Sequence, residues 1–183
     1  KGHAAEALGN IALCSKMRKN LRFSIRSLET LVRSGTEWQK DEAIKALAWI
    51  ANNKENSDDI CSCIDMFELI LRGGTDTQKH FAAFALRCIA YFNAESRRSM
   101  LTCILPLQEM LRFGTDNHKE QAAFALANIS RSRNDRISQE MRACIDLLGG
   151  LLCASTEGQK RAGALALGLI AECDDALKTN TET

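Results

Sequence analysis

The feature that most limits what this chain can become is a unit repeated at nearly constant spacing. Thr36 to Asn52, TEWQKDEAIKALAWIAN, returns as Thr75 to Tyr91, as Thr115 to Arg131 and as Thr156 to Glu172. A headless copy opens the chain with Lys1 in the register of Lys40, Lys79, Lys119 and Lys160, so successive copies stand 39, 39, 40 and 41 residues apart. A helical unit of that length cannot bury its apolar face alone, and the stable answer is to stack it on its neighbours. The expectation is therefore one elongated all-α solenoid over 1–183. It comprises a partial repeat at 1–13, repeats at about 14–52, 53–91, 92–131 and 132–173, and a polar tail at 174–183.

Each copy carries its own helix start. Thr36, Thr75, Thr115 and Thr156 are N-cap residues, each followed by an acid that suits the positive helix end. Gln39, Gln78 and Gln159, three residues on, complete a capping box, and His118 interrupts that column. Gly35, Gly74 and Gly114 precede the threonines and read as left-handed ends of the helices before them. Within the repeated helix, Ala43, Ala46, Leu47, Ile50 and Ala51 fall at i, i+3, i+4, i+7 and i+8, one apolar stripe kept in every copy. A second, longer-range helix precedes it, with Ile25, Leu28, Leu31 and Val32 inward and counterparts in each later unit through Ile145, Leu148, Leu151 and Leu152.

Length varies between copies only in the segments 52–59, 93–99 and 132–140, which read as surface turns with at most one helical turn each. Gly149-Gly150 falls in mid-helix, where glycine weakens a helix by about 1 kcal/mol each. With 24 basic and 23 acidic residues intermixed there is no basic field for nucleic acid, and no apolar run of membrane length. The lack of a secretory leader in these residues points to an intracellular, cytoplasmic or nuclear setting. Three of the eight cysteines, Cys63, Cys103 and Cys144, share one repeat column with Ser24, as a packing slot for a small side chain would. No metal-ligand spacing, phosphate loop or nucleophile elbow is present, so neither a cofactor nor an enzymatic role is expected.

The consensus I-x-x-L-x-x-L-L-R-x-G-T-x-x-Q-K-x-x-A-A-x-A-L-x-x-I-A closely resembles the armadillo repeat. The resemblance covers nearly the whole chain. It implies a right-handed superhelix whose repeats hold a short first, a second and a long third helix, the third helices lining a concave groove that receives extended peptides. The repeats here are one to three residues short of the family's usual 42 and lack its glycine between first and second helices, so a stunted, HEAT-like first helix is expected. In the import-adaptor members the third helix carries a Trp-x-x-x-Asn pair. Those columns read Glu6/Asn10, Lys45/Trp49, Phe84/Cys88, Phe124/Asn128 and Leu165/Leu169 here, and only Phe124/Asn128 approaches the pattern.

On a wheel of 100° per residue those columns lie opposite the alanine stripe and should face water. The candidate binding residues on that face are Lys45 and Trp49, then His80, Phe84, Arg87 and Tyr91, then Phe124, Asn128 and Arg131. Large aromatics on a face that ought to be solvated mark a binding surface. The partner is thus expected to be a protein or peptide, gripped by Phe84 and Phe124, with Lys45, Arg87 and Arg131 favouring an acidic or phosphorylated flank. Two other readings accompany it: a spacer or self-assembling solenoid, and an import-type adaptor. Apolar faces at the helices of Ala4–Ile11 and Leu165–Ile170 would allow end-to-end homo-oligomers. His3, His80 and His118 read as solvated surface histidines.

Overall fold

The computed structural model describes residues 1–132, 134–154 and 156–181, with side chains through 173; the side chains of the polar tail at 174–183 therefore lie outside the described residues. Among the described residues there are helices and turns and no strand. Contacts divide the chain into two units, Lys1–Asn93 and Ala94–Thr183. The first holds α1 (Gly2–Leu13), a 3₁₀ turn (Arg18–Ser24), α2 (Ile25–Ser34), α3 (Glu37–Ala51), α4 (Ser57–Ile60) flanked by 3₁₀ turns, α5 (Ile64–Gly73) and α6 (Asp76–Phe92). The second holds a 3₁₀ segment (Ser96–Cys103), α7 (Ile104–Phe113), α8 (Asp116–Ser130), α9 (Asp135–Arg142), α10 (Ile145–Leu151) and α11 (Glu157–Thr181).

Long third helices stack side by side in each unit, α1 on α3 and α3 on α6 in the first, α8 on α11 in the second, with the second helices laid against them. The alanine stripe makes this possible. Ala43, Ala46, Ala51, Ala82, Ala85, Ala122 and Ala125 are all fully buried, and their small side chains let helix axes approach closely. Leu47, Ile50, Leu86, Ile89, Leu126 and Ile129 fill the space between, each contributing about 1.5–3 kcal/mol through burial. The stripe frays in the last copy, where Ala171 is exposed.

The helix starts form as expected and do more than cap. In α3 and α6 the threonine hydroxyl accepts the N3 amide, and the glutamine carbonyl accepts the threonine N–H. The other half of the glutamine amide is then free to donate across the stack. Gln78 Nε2 reaches Glu37 Oε2 at 3.2 Å and Asp41 Oδ1 at 2.7 Å, and Gln159 Nε2 reaches the Asp116 carbonyl and its Oδ1 at 3.2 and 2.9 Å. One residue type thus closes its own helix and ties it to the preceding copy. Lys40 and Gln78 hold the Glu37 carboxyl below its ordinary range, the Lys40 hydrogen bond contributing most.

Several expectations are corrected. His118 does not break the capping column: its Nδ1 accepts the Thr115 N–H at 3.3 Å, completing the box, and the ring is buried, not solvated. An imidazole nitrogen at that reach substitutes for the glutamine oxygen. Gly35, Gly74 and Gly114 are extended, with φ near −80° and ψ near 170°, not left-handed. What they require is space, since a Cβ would fall 2.5, 2.7 and 2.4 Å from the carbonyl oxygens of Leu31, Ile70 and Met110.

The variable segments are not merely surface turns. They hold the short first helices, and these bury Asn56, Ile60, Met100, Ile137 and Met141 completely. Their length varies because the exposed ends absorb it. The cysteine column is buried as a packing slot would be, and burial raises the Cys144 thiol above its ordinary range and the Cys63 thiol far above it. In the last copy the glycine pair ends α10 after seven residues, in a run of i to i+3 bonds from Gly149, Gly150 and Leu151. Leu152, expected inside, is turned out to 45% exposure, and Ile145 stands 40% exposed.

Candidate functional site

The third-helix face opposite the alanine stripe is built differently in the two units. In the first, Lys45 and Trp49 on α3 and His80, Phe84 and Arg87 on α6 are half-buried, and Tyr91 is 57% exposed. Stacking of α3 on α6 brings the columns together. The Trp49 and Phe84 rings meet edge to face with centroids 5.1 Å apart, an arrangement worth about 0.5–1.5 kcal/mol beyond burial. A guanidinium lies against each ring, Arg18 at 5.9 Å from the Trp49 centroid and Arg87 at 5.7 Å from that of Phe84. The result is an alternating row of cation, aromatic, aromatic, cation. Lys45 Nζ sits 3.8 Å from Glu42, and the Trp49 indole N–H is buried without an acceptor among the described residues.

Arg18 is the member that reading the sequence missed, where 15–20 is only a polar, basic connector. Its Nε donates to the Ala12 carbonyl at 2.6 Å, one terminal nitrogen to Asn52 O at 2.9 Å and the other to Leu13 O at 3.2 Å. It closes the C-terminal ends of α1 and α3 at once, where helix dipoles favour a cation. In the second unit Arg97 donates to the carbonyl of Arg131, the residue that ends α8, at 3.4 Å. Two arginines that recur in the same short segment, followed six residues on by Ser24 and Cys103, are the signal that could have found them.

The expectation that the whole face stands in water fails elsewhere. Cys88 is buried, and burial pushes its thiol up to about 12 against the pull of Arg87 and Arg18. Ala48, which precedes Trp49, is fully buried as well. In α8 every residue from Ala122 to Ser130 is buried, Phe124 and Asn128 among them. A helical wheel assumes one free side, whereas α7 and α11 both pack along α8, and α11 brings Gly158 up against the Glu120 side chain. Arg131 remains exposed at the end of α8. No helix among the described residues is long and apolar enough to cross a membrane.

No family model and no curated protein sequence matches the chain. Solved structures do. A designed armadillo repeat protein in complex with the peptide (KR)4 is similar at a TM-score of 0.84 with 22% identity, over 97% of this chain and 80% of that one. An engineered protein is similar at 0.81 with 24% identity, over 92% of this chain and 43% of its own length. A second engineered protein follows at 0.70 and 20%, over 94% of this chain and 90% of that one.

Proposed function

We propose that this chain, an armadillo-type helical repeat solenoid by its fold, is a protein-interaction scaffold that holds an extended or helical segment of a partner against the third helices α3 and α6. The observation that carries the reading is the accessible row of Arg18, Trp49, Phe84 and Arg87. Aromatic and arginine side chains in one desolvated patch are what interface hot spots are made of. The unpaired indole N–H adds a donor that an acceptor on a bound chain would satisfy, after a small tilt of the ring.

The designed neighbour was solved with a peptide of alternating lysine and arginine. The α3 and α6 face here carries Lys45 and Arg87, and so favours the opposite ligand charge, an acidic or phosphorylated flank beside the residues that rest on Trp49 and Phe84. Fluorescence anisotropy with labelled peptides of matched apolar content tests this. Acid-bearing peptides are expected to bind at least tenfold more tightly than (KR)4, with the preference shrinking as salt is raised. Equal or tighter binding of (KR)4 would refute the charge reading, and binding of no peptide class would favour a structural spacer.

A further inference from the structure

An open cleft of about 550 Å³ lies in the second unit, within the common range of ligand clefts of about 300–1,000 Å³. Its origin is in the sequence. Gly150 occupies the repeat column that holds Leu69 in α5 and Glu109 in α7, and a Cβ placed on Gly150 would meet nothing within 4 Å. A missing side chain and the early end of α10 together leave a hollow between α10 and the turn from α7 to α8. Leu147 and Leu151 give it an apolar floor, and Phe113, 84% exposed, stands at its lip.

Two cations without an ion-pair partner among the described residues, Arg112 and Lys119, meet at this hollow. In several other copies the equivalent cations are paired within their helices, Arg72 with Glu68 at 2.8 Å, Lys40 with Glu37 at 2.8 Å and Lys160 with Glu157 at 3.8 Å. Here Gln108 replaces the glutamate four residues before Arg112, and is itself occupied with the Glu140 carbonyl and Cys144 Sγ. Asp116, a methylene shorter than Glu37 or Glu157, is engaged by Gln159. Arg112 and Lys119 therefore line the cleft with no ion-pair partner among the described residues, and Asp146 opposite them is likewise unengaged.

We propose that this cleft is a second, separate binding site, for a peptide segment in which an aspartate or glutamate adjoins an apolar residue. The acid would sit between Arg112 and Lys119, the apolar side chain on Leu147, Leu151 and Phe113, and a main-chain N–H would meet Asp146. A free anion alone fits less well, because Asp146 repels it and the apolar floor goes unused.

The test is anisotropy with three fluorescein-labelled, amidated peptides of sequence LELL, LQLL and LKLL on the full chain. The glutamate peptide is expected to bind at least tenfold more tightly than the lysine peptide. Gly150→Leu should weaken that binding tenfold or more while the melting temperature holds or rises, because the new side chain enters empty space on a helix. Arg112→Gln with Lys119→Gln, the first exposed and the second half-buried, should bring the glutamate peptide down to the affinity of the glutamine peptide. Unchanged affinity in both variants, or equal binding of the lysine peptide, would overturn the proposal. Loss of binding in Phe84→Ala instead would overturn it too, by assigning the peptide to the first unit's α3 and α6 face.

Discussion

Removing the Arg18 side chain past Cβ should destabilise the first unit by about 2–3 kcal/mol. The figure follows from what the guanidinium does. Two of its hydrogen bonds, to Ala12 O and Asn52 O, are part-buried and short, and the third, to Leu13 O, is exposed. Bonds to charged groups contribute about 1.5–3 kcal/mol each when shielded from water. Water replaces much of that here, so about 1 kcal/mol for each part-buried bond is the fair value, with the exposed one near zero. Loss of the stack on Trp49 adds about 0.5 kcal/mol. Asn56 Nδ2 donates to the Arg18 backbone carbonyl and to Ile50 O, and those bonds survive the substitution. The assay is urea unfolding followed by Trp49 fluorescence in a Trp38→Phe background, which removes the chain's only other tryptophan. Arg18→Lys should recover less than half the loss, since one ammonium cannot span two helix ends. A loss below about 0.5 kcal/mol, or full recovery by lysine, would refute the view that this arginine joins α1 to α3.

Other outcomes follow from the packing. Leu86→Ala, at a fully buried site between alanines, should cost about 2–5 kcal/mol in urea unfolding. His118→Gln should leave stability within about 0.5 kcal/mol of wild type because it restores the column's usual cap, whereas His118→Ala should lose about 1 kcal/mol with the box, both read from thermal melts. In iodoacetamide labelling near neutral pH, exposed Cys14 and Cys153 should react first. Cys63, Cys88 and Cys144 should stay protected until the chain unfolds, their thiols buried and held protonated.

The repeat, the caps and the inner stripe are legible in the sequence because each is local. A threonine three residues before a glutamine meets its own helix wherever that helix packs, and an alanine every third or fourth residue has one side to bury. Phe124 and Asn128 show where locality ends. Their spacing matches that of Phe84 and Cys88, yet they are buried in a helix along which α11, more than thirty residues later in the chain, is packed. Arg18 leaves only a faint repeat signal for the same reason, as its acceptors are carbonyls at the ends of two other helices. His118 looks like a break in the column by residue type, but a cap depends on the reach of the accepting atom, and its Nδ1 has that reach. Gly149-Gly150 stood out as an oddity, but that it opens a cleft depends on what α7 and α8 place opposite it.

The central claim is that α3 and α6 bear a surface for binding, distinct from the surface that holds the stack together. Phe84→Ala measures it most directly, with affinity and stability taken on the same sample. Phe84 is half-buried and touches Trp49 and Arg87 at the edge of the core. The expected loss in affinity for the best acid-bearing peptide is about 2 kcal/mol, some thirtyfold. The urea midpoint should move far less than it does for Leu86→Ala. Unchanged affinity, or unfolding as easy as that of the leucine variant, would mean that the aromatic row is packing between helices and not a place where a partner is held.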